Sequence, residues 1–318
     1  LADDVTDEVH PEVAAAVILA ARVVGLDVAG VDIVAEDISR PLEEQRGAIV
    51  EVNAGPGLLM HLKPAKGRPR PVGQDIVDSL FPKDDDGRIP IVGIAGTRGT
   101  SLIARLVTWL IHLSGKSVGL ACRDGLFLDC RRADKNDCAN WAAGQRLLIN
   151  KSLEAAVFEN GAEVILSQGV AYDRCLVGVV TDVEGADTLG HYDIHDAEQV
   201  YQVLRTQVDI VLPEGAAVLN ADDELVSEMA KYCDGEVIFY ASEPGPVAKH
   251  VETGGRAVFL RGRYVFIAQG KREERLMEGH AGMLPTIAAA LALGLDAGLV
   301  RNGMEYFEFE AKRSMECI

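Results

Sequence analysis

The sequence predicts an α/β fold, a parallel sheet with helices on both faces, and three observations carry that expectation. Short apolar runs bounded by turn residues recur in the later two thirds of the chain: "IPIVGIAG", "KSVGLA", "LEAAVFE", "CLVGVVTDV", "AAVLNAD" and "EVIFYA". Strands buried on both faces read this way. Helical periodicity fills the stretches between them, as strand-to-strand crossovers require. The first of these strands also runs straight into a glycine-rich turn and a helix, "GIAGTRGTSL", which leaves unpaired backbone N–H groups aimed at an anion.

In chain order, residues 11–24, "PEVAAAVILAARVV", form a helix with proline at its first position and Gly25 as its stop. Two β-rich runs follow, "DVAGVDIVAED" and "GAIVEVNAG". The next stretch, "HLKPAKGRPRPVGQDIVDSLFPKDDDGRIP", is rich in Pro, Gly and charge and reads as a linker holding a short helix near Asp75 to Leu80. We expect a first domain over residues 1–64, a linker over 65–88 and a second domain over 89–318. In the second domain, Leu102, Ile103, Leu106, Val107, Leu110 and Ile111 give the helix after the turn an apolar face. "RAVFLRGRYVFIAQG" reads as a β-hairpin and "LPTIAAALALGLD" as a packed helix. No internal repeat or low-complexity tract is present.

Forty-nine acidic and 31 basic residues give the 318-residue chain a net charge of -18, which disfavours nucleic acid and anionic membranes as partners. No run suits a membrane span or signal peptide, so a soluble, cytoplasmic protein is expected. The six cysteines form no CxxC pair, and the seven histidines do not cluster. The start without methionine and the ending "FEFEAKRSMECI" suggest a piece of a longer protein.

The turn at 93–102 is the sharpest feature. A phosphate loop of the GxxGKT kind uses a lysine to reach the β/γ-phosphates and a following hydroxyl for magnesium. Thr100 stands in the lysine's place and Ser101 in the hydroxyl's. Gly96, Thr97, Gly99, Thr100 and Ser101 are the candidate nucleotide contacts. Arg98 cannot be assumed to substitute, because a guanidinium is planar and longer than a compact lysine charge, and electrostatic contributions comparable to the lost cation's are worth about 3 kcal/mol or more. Binding without turnover is one reading; an ordinary strand-to-helix turn is another. A dinucleotide fold is distant, because Gly93, Gly96 and Gly99 do not fit GxGxxG and Asp124 is the only candidate ribose acid.

A second constellation precedes the linker. In "IVEVNAGPG", Glu51 and Asn53 are two apart on a strand and so share a face. Asp32, on the preceding strand, is placed to face them. Two carboxylates and an amide oxygen suit Mg²⁺ beside nucleotide phosphates; solvated strand-edge carboxylates are the alternative.

"EVNAGPG" behind "AGVDIVAEDISRP" resembles the end of an ATP-grasp ligase domain, and the stretch from "TDEVHPE" to "GAIVEVNAGPGLLMHLKP" looks like that of the cyanophycin synthetases. In that family a domain similar to the Mur ligases follows, where "GRIPIVGIAGTRGTSL" falls here. The likeness continues through "NDCANWAAGQRLL", "YDRCLVGVVTDV" and "AVLNADDELV". It implies the C-terminal part of an ATP-grasp domain followed by a Mur ligase-like central domain. It further implies an ATP- and magnesium-dependent ligase that acts on a cyanophycin primer with aspartate and arginine, each carboxylate activated as an acyl phosphate. Asp32, Glu51 and Asn53 match its metal ligands, and the segment with Asn220, Asp222 and Asp223 lies by the adenine in Mur ligases.

The Mur-like half departs from the family pattern. The loop's Asn and Lys become Arg98 and Thr100; E-T-A-R-G-G becomes "ENGAEV", keeping only Glu159, a candidate magnesium ligand; "DVEGADTLG" has Asp182 for asparagine and Thr188 for histidine. The expectation is a silent Mur-like domain in a shortened paralogue that joins β-aspartyl-arginine dipeptides; a standard two-centre synthetase and a non-catalytic scaffold are the alternatives. A homo-oligomer is also expected.

Overall fold

The computed structural model describes residues 2–81, 83, 85 and 87–316, with side chains described as far as residue 307. The chain splits into two compact units between Arg88 and Ile89.

The first unit opens with α1 (Pro11–Val24), which carries proline in its first turn. Its last carbonyls, of Ala21 and Arg22, accept the N–H of Gly25, left-handed at φ +80°. β1 (Gly30–Val34) and β2 (Ala48–Asn53) pair antiparallel, and α2 (Leu59–Leu62) and α3 (Val72–Leu80) follow. The stretch expected as a linker is tied to the start of the chain within this unit. Arg70 bonds Asp4 at 3.0 Å and Asp7 at 2.7 Å, and the Arg68 N–H bonds Asp4 at 3.2 Å. Its arginines, read as linker charge, answer the acidic residues of "ADDVTDE".

The second unit runs β3 (Ile91–Ala95), α4 (Thr100–Leu113), β4 (Val118–Cys122), β5 (Gly125–Leu128), β6 (Arg131–Asp134), α5 (Trp141–Leu148), β7 (Ala155–Asn160), α6 (Ala162–Gln168) and β8 (Cys175–Val180). It continues with α7 (Ala197–Leu204), α8 (Thr206–Asp209), β9 (Val211–Asn220), α9 (Glu224–Glu228), β10 (Glu236–Ala241), α10 (Ala248–Glu252), β11 (Arg256–Arg261), β12 (Tyr264–Gln269), β13 (Arg272–Glu278), α11 (Leu284–Ala292) and α12 (Ala297–Glu316). The strands form one sheet in the order β13-β12-β11-β10-β9-β8-β3-β7-β4-β5-β6. The seven from β11 to β4 are parallel; antiparallel hairpins extend both edges.

Side-chain alternation on the central strands builds two cores. Val92 and Ile94 pack with Ile103, Leu106 and Leu110 of α4 and Ile287 of α11. Ile91 and Ala95 belong to the opposite core, with Leu147 of α5, Leu204 of α7 and Met229. The apolar runs of the sequence are all strands here, and the expected hairpin is β11–β12. β6 and most of β13 are exposed and charged, which suits sheet edges and hides them from a reading based on apolar runs.

Gly93 shows how tightly the sheet centre is packed. A Cβ there would collide with the Tyr172 hydroxyl and the Gln207 carboxamide, which form a buried network with Asn160: Asn160 Nδ2 donates to the Tyr172 oxygen and to Gln207 Oε1, both at 2.7 Å, and the Tyr172 hydroxyl donates to Gln207 Oε1 at 2.9 Å. Gly93→Ala should therefore cost about 2–3 kcal/mol, through overpacking and broken buried hydrogen bonds. Urea unfolding monitored by circular dichroism checks this, and a wild-type midpoint would contradict it.

Candidate nucleotide and metal sites

The turn between β3 and α4 has the backbone of an anion-binding loop. Gly96 has φ +140° and Gly99 is left-handed at φ +68°, conformations that side-chain-bearing residues rarely adopt. A Cβ on Gly96 would also strike the Thr181 hydroxyl. The sheet order β8-β3-β7 sets the ends of two neighbouring strands beside this turn, and each end supplies a carboxylate: Glu159 from β7, and Asp182 two residues beyond β8.

Glu159 is buried and takes the two hydroxyls expected to meet a nucleotide. Thr100 Oγ1 donates to its Oε1 at 2.7 Å and Ser101 Oγ to its Oε2 at 2.8 Å. The Arg123 N–H donates to Oε2 at 2.8 Å, and Arg123 Nε lies 3.2 Å from Oε1. Thr100, in the lysine's position, is only 3% exposed, so its side chain is enclosed against Glu159 rather than reaching into solvent.

Asp182 takes the loop itself. The Thr97 N–H lies 3.1 Å from both of its oxygens, the Thr97 hydroxyl donates to Oδ1 at 2.5 Å, and the Arg98 N–H donates to Oδ2 at 3.2 Å. The Thr181 hydroxyl at 2.8 Å and the Glu184 N–H at 3.2 Å complete the set. Burial acts to raise the pKa of this carboxyl, but hydrogen bonds from the side chains of Thr97 and Thr181 and the backbone of Thr97 and Glu184 outweigh it and hold the group below the ordinary aspartate value.

A cavity of about 540 Å³ adjoins the loop, lined among others by Arg98, Asp182, Glu184, Asn220, Asp222 and Tyr240. Arg98 is paired with Glu184 at 2.5 Å. Burial first, then Asp182, Asp222 and Asp223, push the Tyr240 phenol well above its usual pKa. Asn220 Nδ2 donates to the Thr181 carbonyl at 2.9 Å, Asp222 accepts from the Ser242 N–H at 2.7 Å, and Asp223 caps α9 through the Val226 N–H at 3.1 Å. The Asn220 and Asp222 side chains thus join the cavity wall while holding structural bonds.

In the first unit, β1 and β2 pair with Asp32 opposite Glu51 and Gly30 opposite Asn53. Opposed residues of an antiparallel pair share a face, so the three oxygen-bearing side chains stand together. Gly30 is needed here, because a Cβ would press on Pro56 of the Gly55-Pro56-Gly57 turn. Among the described residues, neither carboxylate has an ion-pair partner. An all-oxygen set of this charge fits Mg²⁺. Asp32, Asn53 and the turn line a cavity of about 780 Å³ whose wall includes Val72, Asp75 and Ile76 of α3, so part of the supposed linker is a wall of this site.

The motif marks the loop but not the carboxylates that bind it: the sequence marks Glu159 as a candidate metal ligand and Asp182 as a departure from pattern, and the fold sets both on the loop. A carboxylate at or just beyond the C-terminal end of each apolar strand flanking β3 is the available signal, because such strand ends converge at the loop.

No family model matches the chain. It is 38% identical to the cyanophycin synthetase of Synechocystis sp., over 99% of this chain and 38% of that protein. It is 35% identical to that of Crocosphaera subtropica, over 98% of the chain and 37% of the protein. It thus spans a little over a third of the length of these relatives. The UDP-N-acetylmuramoyl-L-alanyl-D-glutamate–2,6-diaminopimelate ligase of Chlamydia muridarum is 26% identical over 63% of this chain and 39% of its own. A solved structure of a ligase of that name superposes with a TM-score of 0.54 at 15% identity, covering 72% of this chain and 48% of the other, a likeness of fold. No helix among the described residues is long and apolar enough to cross a membrane.

The lowered pKa of Asp182 sets a pH signature. Its contribution to stability is complete above the unfolded aspartate value, about 3.9, and is lost as pH falls through the lower folded value. The stability difference between wild type and Asp182→Asn should be constant from neutral pH down to about 4 and shrink below it. Thermal denaturation across that range measures it; a difference that grows in acid would contradict the assignment.

Proposed function

The chain is homologous to cyanophycin synthetases along essentially its whole length, and from that premise we propose that it serves as part of an ATP-dependent amide ligase of cyanophycin synthesis. Its chemistry belongs to the ATP-grasp-like first unit, where a carboxylate is activated as an acyl phosphate and joined to an amine. The substrates are a cyanophycin primer and aspartate or, preferably, β-aspartyl-arginine units. The second unit keeps the Mur ligase-like fold without turning over ATP.

One contrast carries this reading. Asp32 and Glu51 stand without ion-pair partners among the described residues, whereas the loop of the second unit has its hydroxyls and amides bound to its own carboxylates. Asp32, Glu51 and Asn53 would hold magnesium, which supplies positive charge to phosphate oxygens. The Gly55-Pro56-Gly57 turn bends the chain beside them, and the cavity of about 780 Å³ leaves room for a ligand.

Two outcomes test the proposal in the natural protein. ATP-dependent extension of a cyanophycin primer should proceed with β-aspartyl-arginine and fail with free aspartate plus arginine; extension with the free amino acids would show that the second unit works. Glu51→Gln should lower the rate at least about a hundredfold if Glu51 holds the metal, and a wild-type rate would remove it from the site.

A further inference from the structure

We infer that Asp182 is an internal anion that takes the place of a nucleotide phosphate in the loop between β3 and α4, closing that loop to ATP. This rests on the reading of the second unit as a ligase fold that no longer turns over nucleotide, and it names the residue that closes the site.

The loop offers an anion what such loops ordinarily offer: consecutive backbone N–H groups, a hydroxyl and the start of a helix. Here the N–H groups of Thr97 and Arg98 and the hydroxyl of Thr97 already point at one carboxylate. Asp182 is 9% exposed, and its six short contacts include donors from the loop, from Thr181 and from Glu184. A carboxylate has about four lone-pair sites, so this one is saturated. Gly96 is needed for the arrangement, because its missing Cβ leaves space for the Thr181 hydroxyl beside Asp182.

The surroundings point the same way. Thr100 and Ser101 are turned onto Glu159, which also holds Arg123, the loop's own arginine, Arg98, is paired with Glu184, and Asp222 and Asp223 add acidic charge to the adjoining cavity. A phosphate entering the loop would have to displace Asp182 and then share the site with it. The missing lysine explains lost turnover; the internal carboxylate goes further and predicts lost binding.

Hydrogen–deuterium exchange of the natural protein, read on peptides spanning residues 96–102, separates the loop from any nucleotide bound in the first unit. The probes are Mg²⁺-ATP and inorganic pyrophosphate. The wild-type loop should show no change with either. Asp182→Ala vacates the cradle, and Asp182→Asn removes the charge while keeping the shape should the alanine variant not fold. In the folded variant the loop should exchange roughly tenfold more slowly at probe concentrations about ten times Kd. Protection of the wild-type loop would overturn the inference, as would a folded asparagine variant that gains no protection with either probe. Primer extension reads the proposed ligase activity independently, so either idea can fail alone.

Discussion

The hydrogen bonding of two strand-end carboxylates to one turn is the constraint around which the larger unit is arranged. β3 lies between β7 and β8, and Glu159 and Asp182 reach from those neighbours to the turn that leaves β3. Buried carboxylates are costly unless fully bonded. Each of these is bonded on both oxygens, so the charge stabilises the turn instead of straining it. The same charge is hostile to a second anion: at about 4 Å and an effective dielectric near 20, two like charges repel by about 4 kcal/mol.

The two units therefore use similar atoms in opposite ways. In the first, Asp32 and Glu51 are brought to one face by strand register and keep their oxygens available, the condition for binding an ion. In the second, hydroxyls and amides that motif reading assigns to a ligand are consumed within the protein. Which of two similar-looking constellations can bind is decided by the partners its atoms already have.

That distinction marks the limit of what the sequence made legible. The parallel sheet followed from its apolar runs, α1 from its terminal proline and glycine, and the turn from its glycines. The face shared by Glu51 and Asn53 followed from two-residue periodicity, and the strand register sets Asp32 opposite Glu51. The charged edge strands β6 and β13 escaped because solvent-facing strands lack an apolar signature. The bonding of Asp182 to the loop escaped for a different reason: Thr97 and Arg98 are far from it in the chain, and only the strand order brings them together. Arg68 and Arg70 resembled linker charge until the fold set them against Asp4 and Asp7.

The distance in sequence between the loop and its carboxylates bears on how the protein assembles. Thr100 and Glu159 are 59 residues apart, and Thr97 and Asp182 are 85 apart. Closing such long stretches of chain costs entropy before any contact can repay it. The turn cannot take its final shape until β7 and β8 have docked on either side of β3. Its conformation therefore reports that these three strands have come together, although its own residues are neighbours in sequence.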